Sequence, residues 1–287
     1  MNNIKIIVIF IMLMLSSQVK AEILETQDAS VIRDKISTLQ NGDMVLFDVK
    51  HVIFHSADQV MRHENKSFFK QQFSKIEKDF GKEKAMRLKS IVLNSYRPIV
   101  VDYEIPEIIN QAQKKGIIVF ALTSGHASDY GTIKNRADLR IKLIKDVDID
   151  FSKSKSIEPI DLSNSKLSAD YNDSKPLFQD GVIFASKISK GEILGRFLKA
   201  TRLKPKKIIF VDNQIQNVLL VEEKCKELGI AYIGINFTKL YKKPYEQLDK
   251  KLAEKKFEVL LSEDKWISDD EARLMIKNKY NNFYENL

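Results

Sequence analysis

The strongest constraint on the fold is a series of short, uninterrupted apolar runs separated by stretches of helical rhythm. "MVLF" at 44–47 closes on Asp48, "IIVFAL" at 117–122 closes on Thr123, "KKIIFVD" ends at Asp212, and "IAYIGIN" follows at 230–236. Strands without polar alternation need cover on both faces, as in a parallel sheet. Strands that alternate with helices build such a sheet. The expected fold class is therefore α/β, a Rossmann-like parallel sheet with helices on both faces. Ligands of such sheets bind beyond the carboxyl ends of the strands, so Asp48, Thr123 and Asp212 are expected on one edge.

The intervening segments carry their own start and stop signals. "TQDASVIRDKISTL" at 26–39 is expected to be a helix closed by Asn41-Gly42. "PEIINQAQKK" at 106–115 places Pro106 near a helix start, where its missing N–H costs nothing. Helices are expected again over 135–147, 190–201 and 216–229, and residues 55–96 are polar with helical rhythm. Residues 149–176, rich in Ser, Asp and Lys, suggest a loose excursion. "PLFQDGVIFAS" predicts a hairpin turning at Asp180-Gly181. "SDDEA" at 268–272 is a capping box for a last helix.

The polar residues at the strand ends have the chemistry that phosphate-ester hydrolysis needs. A carboxylate can attack phosphorus, a hydroxyl and an ammonium can hold the phosphoryl oxygens, and a second carboxylate can share Mg²⁺ with the first. Asp48, Thr123, Lys190 and Asp212 occur in that order, with Asn213 beside the last. In "VLFDVKHV", "VFALTS", "SKGEIL" and "IIFVDN" the chain resembles the haloacid dehalogenase (HAD) superfamily, over roughly residues 43–236. With its N-terminal leader and two inserts it is similar to an uncharacterised secreted bacterial branch with a degenerate first motif. The resemblance implies Asp48 as nucleophile and metal ligand. It implies Thr123, Ser124 and Lys190 as the phosphate site, with Asp212 and Asn213 completing a Mg²⁺ site. Residues 55–105 and 127–176 stand at its two cap positions, the first mainly helical, and caps choose substrates.

Lys50 departs from that pattern, standing where the superfamily's phosphatases carry an acid/base Asp. An unperturbed ammonium titrates near 10.4, far from the neutral optimum for acid–base work. Two readings stay open: a specialised phosphohydrolase in which Lys50, His51 or a cap residue replaces the acid, and an inactive binding protein recognising a ligand, or a protein partner through the cap. Arg97 is a candidate to reach a substrate anion from the cap, and His126 lies near the same edge. His51, His55 and His63 have spacing that would suit zinc on a helix, but helix at His51 would break the loop after the first strand.

Residues 1–21 stand apart, an apolar run from Ile6 to Leu15 followed by "SSQVKA". This is the pattern of a signal peptide cut after Ala21, leaving 22–287 as an exported domain with no transmembrane segment. The single cysteine, Cys225, rules out an internal disulfide, so the core alone must stabilise the chain. The net charge of +8 comes from lysines scattered among acids. Nucleic-acid binding, which uses clustered basic stripes, is not expected.

Overall fold

The computed structural model describes residues 21–163, 175–241 and 247–285, with side chains described as far as 278. The leader proposed at 1–21 lies outside the described residues except for Ala21, as does 164–174 of the second insert. The chain begins with β1 (Ala21–Thr26), α1 (Ala29–Ser37), β2 (Met44–Phe47), β3 (Phe54–Ser56), α2 (Lys66–Phe80), α3 (Lys82–Asn94) and β4 (Pro98–Val100). It continues through α4 (Glu104–Lys114), β5 (Ile118–Thr123), α5 (Arg136–Lys145), β6 (Ile160–Asp161), β7 (Leu177–Gln179) and β8 (Val182–Phe184). It closes with α6 (Lys190–Thr201), β9 (Lys207–Asp212), α7 (Ile215–Glu227), β10 (Ala231–Phe237), α8 (Lys250–Glu263) and α9 (Asp269–Glu285).

The central sheet runs β1-β10-β9-β2-β5-β8-β7-β6. Strands β1 to β8 in that order are parallel, and the hairpin strand β7 and β6 are antiparallel. Period-2 alternation divides the core into two layers. Val45, Phe47, Val119, Ala121, Ile209 and Val211 pack with apolar faces of α1, α4 and α5. Met44, Leu46, Phe120, Leu122, Ile208 and Phe210 pack with α6 and α7. The fold is thus the expected mainly parallel, doubly covered α/β sheet. A third cluster joins α2 and α3 to α8 through Phe73, Leu88, Ala253, Phe257 and Trp266. Phe73 packs its ring at 4.8 Å from Phe69 and 5.7 Å from Phe257.

Several local expectations are corrected. Thr26 completes a strand, and the first helix begins at Ala29 because Asp28 caps it, accepting from the Ser30 N–H at 2.9 Å. Residues 149–163 are not loose, since Ile149, Phe151 and Leu162 are buried in the core. Neither β1 nor α8 was expected. The hairpin turn forms as expected, with Asp180 and Gly181 both at positive φ (48° and 76°), the requirement of the tight primed turn. The capping box closes reciprocally, Ser268 N–H to Glu271 Oε2 at 2.7 Å and Glu271 N–H to Ser268 Oγ at 3.1 Å.

Candidate functional site

Strand register builds the site. β2 lies between β5 and β9, with Phe47 level with Ala121 and Val211. Asp48 and Asp212 are therefore the next rung on adjacent strands, roughly 4.8 Å apart in the pairing direction. The Asp48 N–H donates to the Val211 carbonyl at 2.8 Å. The chain leaves β2 for β5 on one side and returns to β9 on the other, so Asp48 stands at the topological switch point of the sheet.

Helix α6 brings the cation. Ser189 caps it, accepting from the Glu192 N–H at 3.3 Å. Gly191 lets its first turn rest on α7, where an added Cβ would meet the Leu220 carbonyl oxygen at 2.1 Å. That approach delivers Lys190 Nζ to 2.6 Å from Asp48 Oδ1 and 2.6 Å from Asp212 Oδ2. Asp212, fully buried, also accepts from the Gln214 N–H at 2.8 Å and from Asn217 Nδ2 at 3.2 and 3.1 Å. Burial pushes the Asp48 carboxyl up to about 6, with Lys190 opposing and Asp212 reinforcing. Burial alone would lower Lys190, but the two carboxylates outweigh it and hold the ammonium above its ordinary range.

The trio opens onto a cavity of about 360 Å³ lined by Asp48, Lys190, Thr123, Ser124 and Asn213, among others. The Thr123 hydroxyl is fixed by accepting from the Gly125 N–H at 3.2 Å. Asn213 Nδ2 donates to the Tyr241 hydroxyl, while Asn213 Oδ1 is buried without a hydrogen-bond partner among the described residues. Lys50 lines the same cavity, its Nζ 5.5 Å from the centroid of the Tyr96 ring. Burial pulls Lys50 down to about 8, aided by the charges of Arg140 and Lys66. The structure thus gathers Asp48, Lys50, Thr123, Ser124, Lys190 and Asn213 around one cavity, with Asp212 joined to them through Lys190.

Other candidates fall elsewhere. His126 pairs its Nδ1 with Ser186 Oγ at 3.1 Å, and Arg97 lines a separate small cavity with Trp266 and Glu271, which corrects its assignment to the substrate. His51 sits in a left-handed turn (φ 70°), its ring 5.2 Å from that of His63, and burial pulls it down to about 3. Among the described residues no group of three or more His, Cys, Asp or Glu is placed to hold a metal. Two contributors are not apparent from the strand-end motifs. Asn217 holds Asp212 from the first turn of α7. Arg140 lines the cavity from α5, and its spacing from buried Ala137 and Ile144 was the available signal.

A Chlamydia trachomatis protein named "Putative outer membrane protein" is 33% identical over 140 residues, 48% of this chain and 46% of its own length. The chain thus spans about half of that relative. A Rickettsia prowazekii protein, "Uncharacterized protein RP296", is 21% identical over 87% of this chain and 88% of its own. A solved structure from Burkholderia xenovorans LB400, described as a "putative haloacid dehalogenase-like hydrolase", superposes with a TM-score of 0.29 at 10% identity. It covers 68% of this chain and 83% of its own. No described helix is long and apolar enough to cross a membrane. The family model described as "Protein of unknown function (DUF2608)" matches residues 25–273, and the chain belongs to that family.

Proposed function

We propose that the chain is a specialised phosphohydrolase of HAD type, acting on a small phosphorylated molecule with Asp48 as nucleophile. The observation that carries this reading is the buried Asp48–Lys190–Asp212 trio at the ends of adjacent parallel strands, opening with Thr123 and Ser124 onto one cavity. Asp48 forms a bond to phosphorus as the ester oxygen departs, and water then cleaves the aspartyl phosphate. Lys190 and the Thr123 and Ser124 hydroxyls hold the phosphoryl oxygens. Lys50, in the same cavity, gives a proton to the leaving oxygen and takes one from the attacking water.

Asp48, Asp212 and Asn213 would hold Mg²⁺. They offer the hard oxygens that ion prefers, and Asn213 Oδ1 has no other partner among the described residues. The ion would supply positive charge against the transferring oxygens. A second reading, ligand recognition without turnover, is favoured by the ammonium at position 50, with the α2–α3 pair then serving as the surface for a protein partner.

Phosphate release from aryl and metabolite phosphates, with and without Mg²⁺, tests both readings. Metal-dependent turnover that Asp48→Asn lowers by at least about 10³-fold supports the enzyme. A silent native protein that gains activity as Lys50→Asp supports the binding reading. We also infer export, supported by the leader pattern and by the outer-membrane description of the chlamydial relative. Cell fractionation with N-terminal sequencing tests it, and a mature chain beginning at Glu22 is the expected result.

A further inference from the structure

Among the cavity-lining groups that the reaction above leaves unused are Arg140 and Tyr96. Phe54 and Tyr96 pack ring to ring at 5.8 Å, and each lies beside a cation. Arg140 Cζ is 5.8 Å from the Phe54 centroid, and Lys50 Nζ is 5.5 Å from that of Tyr96. Arg140, Lys50 and Tyr96 all face the cavity that holds Asp48. Among the described residues the Arg140 side chain has no hydrogen bond and no carboxylate partner, only its ring contact. Tyr96 is 7% exposed, yet its hydroxyl is buried without a hydrogen-bond partner among the described residues. A guanidinium and a phenol placed together with no internal acceptor are incomplete, because buried donors of this kind are ordinarily paired. Asp48, the acid whose charge reaches Arg140, is already held by Lys190. Burial works against the charge on Arg140, and an incoming anion would relieve it.

We infer that Arg140 and Tyr96 form a second anion subsite, so that the ligand is a small molecule carrying two anionic groups. This rests on the phosphate reading: the phosphoryl group lies at Asp48, Thr123 and Lys190, and a carboxylate or second phosphate lies at Arg140 and Tyr96. The planar guanidinium suits either group through paired N–H bonds, and the Tyr96 hydroxyl adds a third donor. Lys50 stands over the Tyr96 ring in the same cavity, where it adds positive charge beside the second subsite. The cavity, about 360 Å³, admits a ligand of small-metabolite size.

Calorimetric binding to the full-length protein tests the subsite without requiring turnover. The probes are inorganic phosphate and phenyl phosphate, each with one anionic group, 2-phosphoglycolate, which joins phosphate to carboxylate, and propane-1,3-diol bisphosphate, which joins two phosphates. At least one doubly anionic probe is expected to bind about 10-fold or more tightly than phenyl phosphate, and which one does so identifies the second group. Arg140→Met should remove that advantage while leaving phenyl phosphate within about two-fold. Tyr96→Phe, nearly isosteric, should remove about three- to ten-fold of it. Equal binding of singly and doubly anionic probes by the unaltered protein would overturn the subsite alone, as would an Arg140→Met variant that weakens every probe equally. If no probe binds, inorganic phosphate included, the phosphate reading falls and the subsite with it.

Discussion

Lys190 and Lys256 each lie buried between two aspartates, Lys190 with Asp48 and Asp212 at 2.6 Å and Lys256 with Asp58 and Asp269 at 2.5 Å. The surroundings differ. Around Lys256 the remaining carboxylate capacity is taken up inside the protein. Trp266 Nε1 donates to Asp58 Oδ2 at 2.6 Å, the Val60 N–H to Asp58 Oδ1 at 2.9 Å, and the Gln59 N–H to Asp269 Oδ2 at 3.1 Å. The Trp266 ring lies 4.7 Å from the ammonium. That trio ties α8 and the first residue of α9 to the segment before α2, and so holds the helical insert against the C-terminal helices. Around Lys190, Asp48 opens onto the main cavity. A charge trio acts as a staple where every carboxylate oxygen accepts a bond within the protein, and becomes a site where one carboxylate lines a cavity.

Replacement of each lysine tests this contrast most severely. Lys256→Met strips the ammonium from buried Asp58 and half-buried Asp269 and is expected to cost about 3–5 kcal/mol of unfolding free energy. Lys190→Met should cost less, about 1–3 kcal/mol, because Asp48, already raised to about 6, can neutralise by taking up a proton, and it should abolish phosphate binding. Denaturant midpoints measure both. Equal losses would show that the two trios are the same device, and the contrast would break.

The acids give a second test, of opposite sign. Burial would raise Asp269, but the bond and charge of Lys256 outweigh it and hold the carboxyl below its ordinary value. Its contribution is therefore present above the ordinary aspartate pKa and is lost as pH falls through the lower folded value. Asp48 is raised to about 6, so its contribution is present below the ordinary value near 4 and is lost as pH rises through about 6. In metal-free buffer, Asp269→Asn should flatten the acid limb of stability against pH, and Asp48→Asn should flatten the pH 4–6 window. The same limb flattened by both variants would contradict the distinction.

The smallest effect is expected where the staple has a surface counterpart. Arg87 on α3 meets Asp264, just after α8, through two bonds of 2.8 Å, but both side chains are more than 40% exposed. Arg87→Ala should shift the denaturant midpoint far less than Lys256→Met, and added salt should reduce the shift further. A loss approaching that of Lys256→Met would make the surface pair, and not the buried lysine, the main tie between insert and C-terminal helices.

Much of the site is legible in the amino-acid sequence, because strand ends are local features. Asp48, Thr123 and Asp212 each close an apolar run, and a parallel sheet forces such positions to one edge. Lys190 is legible as a helix start. Tyr96 is not, and Arg140 is only as a helix position beside buried neighbours, since facing one cavity is decided by tertiary packing. Arg97 misleads because an arginine before Pro98 signals extended chain but not which cavity that chain borders.

Periodicity and turn chemistry, acting within some twenty residues, were enough to set the alternation of strands and helices, the doubly covered sheet, the hairpin turn and the capped last helix. Three features were settled by long-range packing instead. Ala21–Thr26 adds an edge strand beside β10, and α8 buries a lysine against Asp58, 198 residues away along the chain. Lys50, Arg140 and Lys190, from three separate segments, line one cavity with Asp48. These features depend on which distant side chains converge, and to that convergence local hydrophobic rhythm is blind.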